Sequence, residues 1–174
     1  MIDLLRGRRS IRKYTSQPVD RPTLDLLLEA ALRAPSSRNN KPWKFIVVDN
    51  PELLATLSTA KTHGSAFLRQ APLGIVVCAD STRSDVWIED CAIAALLIQM
   101  EAQSLGLGSC WIQIRTRPHS ESVTAESFIQ GQLGLPEQIK VASIISIGYP
   151  DEIKTPVPAE KLDYQAVSYN RYSA

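Results

Sequence analysis

The chain has 174 residues, a formal net charge of +1, 44% hydrophobic and 21% charged residues. That suits one globular domain with enough core to need no staples, and the balanced charge gives no general field for nucleic acid. Cys78, Cys91 and Cys110 are too few and too scattered for a disulfide framework or a metal site; they read as buried small hydrophobes in a reducing compartment, with a reactive thiol as the alternative.

Residues 2–8 read as a short helix. The N-terminus is charged from Asp3 onward, without the apolar stretch of a signal peptide. No apolar run is long enough to cross a bilayer, so the expectation is a soluble, cytoplasmic protein. A second helix is expected over about 22–33, where Leu24, Leu27, Leu28, Ala31 and Leu32 recur at helical spacing. Pro35 ends it. Residues 45–48 read as a buried strand, 51–60 as a helix opened by Pro51, and 74–79 as a second buried strand. A long helix over 87–105, stopped by Gly106 and Gly108, precedes a strand over 109–114. A helix over 125–133 and a strand over 141–147 complete the order. Strands separated by helices give a mixed α and β class. Residues from about 151 to 174 read as an extended arm, which either covers a neighbouring subunit or is a solvated tail.

The long helix is informative. Ile88, Cys91, Ala92, Ile93, Ala94, Ala95, Leu96, Leu97, Ile98 and Met100 leave it almost no polar face. A helix apolar all round must be buried all round. A subunit interface would bury it, and so would a central place within one protomer.

Two stretches carry candidate chemistry. In Arg8-Arg9-Ser10-Ile11-Arg12-Lys13-Tyr14, guanidinium groups and a hydroxyl suit an anionic ligand. If the stretch is extended, Arg8, Ser10 and Arg12 point one way and Arg9 the other. Taken alone, its spacing reads as a solvated basic face before it reads as a binding site. In Pro35-Ser36-Ser37-Arg38-Asn39-Asn40-Lys41-Pro42-Trp43, short polar side chains can bond to nearby backbone or to a heteroaromatic edge. An ordinary helix-to-strand loop is the alternative. A smaller basic group, Arg115, Arg117 and His119, falls in a segment (115–123) that reads as an insertion, either a surface loop or part of a substrate cleft. His63 and His119 read as structural or surface histidines.

Together these stretches resemble the nitroreductase family. Arg8-Arg9-Ser10-Ile11-Arg12 is followed by a helix and then by Pro35-Ser36-Ser37, Asn39 and Pro42-Trp43. The run over 102–112 looks like the family's later block, and Leu133-Gly-Leu-Pro136 with Ile147-Gly-Tyr-Pro150 looks like its last. The resemblance covers essentially the whole chain. It implies an α+β fold with a central, mostly antiparallel sheet flanked by helices, and an intertwined homodimer whose C-terminal arm crosses to the partner. It implies FMN in clefts built from both subunits, NADH or NADPH as transient reductant, and a small-molecule electron acceptor taking its turn in ping-pong fashion. Arg8 and Ser10, with Arg9 alongside, would hold the phosphate and ribityl oxygens. Arg12 would lie beside the pyrimidine end of the ring, where a cation stabilises the reduced form. Pro35, Ser36, Ser37 and Asn39 match positions that approach from the other subunit. Ile112 and Gln113 match backbone positions near the reactive N5 edge.

The chain departs from the family pattern in three places. Lys41 stands where glutamine is usual, Gln113 and Ile114 replace small or acidic residues, and the C-terminal phosphate contact has only Lys161 and Arg171 as candidates. No catalytic side chain and no metal are implied. Two further readings stay open. One is a flavoenzyme of the same fold with another reaction, such as dehalogenation, dehydrogenation or flavin breakdown. The other is a non-enzymatic module binding a phosphorylated ligand or RNA.

Overall fold

The computed structural model describes residues 1–172. In chain order the elements are α1 (Ile2–Gly7), α2 (Arg21–Leu32), β1 (Trp43–Val48), α3 (Pro51–Leu57), β2 (Leu73–Asp80), α4 (Trp87–Ser104), β3 (Gly108–Gln113), α5 (Ala125–Leu133) and β4 (Ile139–Gly148). Side-chain oxygens of Asp20, Asn50 and Thr124 accept from the backbone N–H groups that start α2, α3 and α5. The third helix stops at Leu57, short of the expected residue 60. There Ser58 and Thr59 hydroxyls bond back to the Ala55 and Thr56 carbonyls, an alternative to continued helix.

The four strands form one antiparallel sheet in the order β1-β2-β4-β3. The α+β expectation therefore holds. Alternation along the strands splits the core in two. On one face Val76, Cys78, Ile112 and Ile144 pack with Leu54 and Leu57 of α3 and Ile129 of α5. On the other, Ile75, Val77, Ile145 and Ile147 pack with Leu27 of α2 and with Cys91, Ala95 and Ile98 of α4. Each fully buried aliphatic side chain contributes about 1.5–3 kcal/mol.

The register slips between Val77–Ser143 and Cys78–Val141, leaving Ala142 as an extra residue. Its carbonyl accepts from the N–H groups of both Ile114 (3.3 Å) and Arg115 (3.2 Å). This bulge turns the chain out of β3 into the loop over 115–124.

α4 is not buried all round within the protomer. Ala92, Ile93 and Leu96 form an exposed apolar stripe, with Ile93 at 40% and Leu96 at 47% exposure. The opposite face, including Ala94, Ala95 and Ile98, has no exposure. Beyond Glu152 the chain is mostly exposed, including Ile153, Val157, Tyr164, Tyr169 and Tyr172. No helix among the described residues is long and apolar enough to cross a membrane.

Candidate functional site

Segment 8–14 crosses the corner where β3 begins and β4 ends. Ser10 pairs with Ser109 in a single parallel bridge, and Tyr14 pairs with Pro150. Ile11 N–H donates to the Ser109 carbonyl at 3.0 Å, and Thr15 N–H to that of Tyr149 at 2.9 Å. Two glycines permit so close an approach. A Cβ on Gly108 would lie 2.7 Å from Ile11, and one on Gly148 would lie 2.6 Å from Pro72 and 3.0 Å from Tyr14. The Tyr14 hydroxyl donates to the Ile11 carbonyl (2.6 Å) and meets Ser146 Oγ (2.7 Å), fixing the segment from beneath.

Cations converge at this corner. The buried Cys110 thiol is pushed up by burial, and is drawn back down by Arg12, the Ser10 hydroxyl, Lys154 and Arg8. Ser10 bridges to Ser109, the residue before Cys110, and Lys154 bonds to the Ser10 carbonyl. Arg12 lies over the Phe67 ring, 5.6 Å from its centroid. Among the described residues, Arg6, Arg21 and Arg33 on the helices pair with Asp3, Asp25 and Glu29, while Arg8, Arg9 and Arg12 pair with no carboxylate. Arg9 lines a shallow pocket of about 210 Å³ together with Gln103, Leu107, Glu152 and Lys154.

Sequence reading missed the clamp that holds this segment. Glu152 Oε1 accepts from the N–H groups of Arg12 (2.6 Å) and Lys13 (3.3 Å), and these bonds, chiefly that from Arg12, hold its carboxyl below the usual range. Lys154 Nζ donates to the Ser10 carbonyl at 2.7 Å and pairs with Glu152 at 3.2 Å. No motif announces a pairing across 144 residues. Lys161, in a short turn over Ala159–Lys161, and Arg171 are both exposed, and among the described residues no bond joins either to this corner. The basic residue from the C-terminal segment that does stand here is Lys154.

The second stretch is a strained, well-tied turn. Arg38, Asn39 and Lys41 have φ of 50°, 57° and 47°. Left-handed backbone of this kind persists in non-glycine residues only where surroundings hold it. Ser36 Oγ accepts from Lys41 N–H (2.9 Å). Buried Asp90, in the first turn of α4, accepts from Ser37 N–H (2.9 Å) and from Ser84 Oγ (3.0 Å). Arg83 donates to the Asn40 carbonyl at 2.9 Å. Pro35 and Asn39 are exposed.

The two stretches do not meet within one protomer. Ser10 lies outside β3, where Gly108 faces Gly148 and Ile147 faces Leu73. The turn over 36–41 leads into Trp43, which faces Ala79 at the far end of β2. The eight residues of β2 separate them along the strands by about 20 Å.

β3 is an edge strand. Because the Ser109 carbonyl faces segment 8–14, alternation turns the backbone groups of Trp111 and Gln113 outward and those of Cys110 and Ile112 toward β4. Ile112 is fully buried. The Gln113 side chain is fixed at both ends, accepting from Trp111 Nε1 and donating to the Arg115 carbonyl, each at 2.9 Å. His119 is structural here, its ring stacked on Phe128 and its Nδ1 3.2 Å from the Thr59 and Ala60 carbonyls.

Comparison with known proteins adds the following. A model of the nitroreductase family matches residues 5–64 and 55–149. An FMN-dependent nitroreductase from Clostridium difficile superposes with a TM-score of 0.97 at 48% identity, covering 99% of this chain and 100% of that one. An FMN reductase [NAD(P)H] from Bacillus subtilis is 30% identical over 196 residues, covering 98% of this chain and 75% of its own length. An NADH dehydrogenase from Thermus thermophilus is 27% identical over 173 residues, covering 83% of this chain and 84% of its own length.

Proposed function

The chain belongs to the nitroreductase family, and on that footing we propose that it is an FMN-dependent oxidoreductase that takes electrons from NADH or NADPH and passes them to small acceptors such as nitroaromatics or quinones. One observation carries this reading. Arg8, Ser10, Arg12 and Lys154 converge at one corner, and no carboxylate among the described residues neutralises the two arginines. Two guanidinium groups and a hydroxyl are a donor set suited to a phosphate with a polyol chain, while the Lys154 ammonium is already engaged by Glu152 and the Ser10 carbonyl. The residues present therefore fit FMN.

When bound, the flavin would supply two-electron exchange, first with the nicotinamide and then with the acceptor in the same place. The chain's own groups do the rest. Arg8 and Ser10 would hold the phosphate end, with Lys154 fixing the Ser10 backbone. Arg12 supplies a positive charge held in place through its backbone bond to Glu152 and its contact with Phe67. Gln113 offers outward backbone groups on the free edge of β3, in a turn kept rigid by its side chain.

A homodimer is part of the proposal. The Pro35–Asn39 stretch and the arginine corner lie at opposite ends of the sheet, so one cleft can use both only if two copies contribute. The exposed apolar stripe of α4 and the exposed aromatic residues of the C-terminal arm are surfaces such a partner would cover. Lys161 and Arg171 belong to that arm, and any role they have at a flavin would be toward the partner's cleft.

The test is a spectrum. Pure protein should be yellow, release one FMN per chain on heating, and bleach when NADH or NADPH is added without oxygen. A colourless protein that refuses added FMN would sink the reading.

A further inference from the structure

The turn over 36–41 owes its attachment to one buried carboxyl group. Arg38, Asn39 and Lys41 stand at left-handed φ, of 50°, 57° and 47°, a region that long side chains disfavour. Bonds within the turn close it. Asn40 N–H donates to the Ser37 carbonyl (2.9 Å) and Lys41 N–H to Ser36 Oγ (2.9 Å). Those bonds do not fasten it to the rest of the fold. Asp90 does, and it is only 2% exposed. Its Oδ1 accepts from Ser37 N–H (2.9 Å) and its Oδ2 from Ser84 Oγ (3.0 Å), so each oxygen is fixed by a different segment. On the outside, Arg83 adds its bond to the Asn40 carbonyl (2.9 Å). Ala94, one helical turn after Asp90, is fully buried and packs with Ala34 and Trp43, which stand on either side of the turn.

Asp90 has no ion-pair partner among the described residues. A carboxyl group is costly to bury without a cation, and an apolar side chain would fill the same place at less cost. Packing therefore does not explain the residue, whereas holding the Ser37 N–H does. The same helix carries the exposed stripe of Ile93 and Leu96, so the turn is tied to the element that would meet a second copy. We propose that Asp90 is a positioning residue for the flavin. By fixing Ser37 it keeps the turn in the shape in which Ser37 and Asn39 reach FMN in the second copy's cleft. This rests on the flavin and homodimer readings above. Asp90 itself touches no flavin and acts through the Ser37 backbone.

The test titrates FMN into the flavin-stripped dimer. Asp90→Ala should raise the Kd for FMN about tenfold, the worth of one buried hydrogen bond, with the dimer mass unchanged by light scattering. Asp90→Asn keeps an oxygen for Ser37 N–H and offers its amide to Ser84 Oγ. It should stay within about threefold of the parent protein, a rescue that a role in charge alone would not give. Trypsin supplies a reading without flavin. Arg38 is exposed, and cleavage after it in the flavin-free dimer should be about tenfold faster in Asp90→Ala and unaltered in Asp90→Asn. If Asp90→Ala does not fold, Ser84→Ala takes its place. It removes one of the two bonds to the carboxyl group and should raise the Kd about threefold. A folded Asp90→Ala, or its Ser84→Ala substitute, that binds FMN as tightly as the parent would overturn the inference. So would an Asp90→Asn loss as deep as that of Asp90→Ala. If the parent protein takes up no FMN, the flavin reading falls by itself, and cleavage after Arg38 still decides whether Asp90 holds the turn.

Discussion

Arg12 is held in a way that suits the role proposed for it. Its backbone N–H is taken by Glu152 and its guanidinium lies over Phe67, so the charge is fixed without being neutralised. A fixed cation beside a flavin favours the reduced, more negative form. Arg12→Ala should therefore lower the midpoint potential of bound FMN. An interaction of about 1.4 kcal/mol, modest for nearby charges at a protein surface, corresponds to about 30 mV for a two-electron couple. Spectroelectrochemistry on a variant with unchanged melting temperature checks this, and an unaltered potential removes the role. Gly108 and Gly148 matter for a different reason. They are the places where Ile11, Tyr14 and Pro72 occupy the space a Cβ would need, so they set how closely segment 8–14 lies on the sheet.

At the scale of elements, α4 joins the fold to its proposed partner. One face is core, and Asp90 at its start holds the turn over 36–41 through Ser37. Its other face presents Ile93 and Leu96 to solvent in the protomer. Less than half of each side chain is left to bury, so covering both would contribute roughly 1–3 kcal/mol to association, scaled from about 1.5–3 kcal/mol for a fully exposed side chain. Leu96→Asp should thus give a monomer on a sizing column with light scattering. It should also lose its flavin, because half of the proposed cleft comes from the second copy. A Leu96→Asp protein that remains dimeric would show that the stripe is not the interface.

For the whole molecule, the buried sheet also predicts behaviour in alkali. Burial pushes the thiols of Cys78 and Cys91 up to about 12 from an ordinary 9.0, and raises the Tyr14 hydroxyl as well. In the folded chain these groups stay neutral above pH 9, whereas in the unfolded chain the thiols ionise there. Unfolding therefore gains ground as pH rises from about 9 toward 12, by up to about 1.4 kcal/mol per pH unit for each group. The melting temperature should be nearly flat between about pH 6 and 8 and fall steeply above 9. Cys78→Ala with Cys91→Ala should make that fall shallower, and an unaltered slope would assign the alkaline loss to other groups.

The order and type of every α-helix and strand were legible in the sequence, because the patterns that set them are local; the short 3-10 turns, among them Ala66–Gln70, carried no such pattern. Leucines at helical spacing mark α2, the glycines after α4 end it, and unbroken apolar runs mark the strands. The basic stretch at 8–12 was visible too, but its spacing left a solvated basic face open, and only the resemblance to the family turned it into a candidate anion site. What lay outside the sequence is whatever depends on the path of the chain. Lys154 reaches Ser10, and Glu152 the backbone of Arg12, only because β4 ends where segment 8–14 crosses. His119 reaches the Thr59 and Ala60 carbonyls only because the loop over 115–124 folds back on the end of α3. Local spacing fixes what a residue can do, whereas its neighbours from distant parts of the chain are chosen by sheet order and by burial, which exist only once the whole chain has folded.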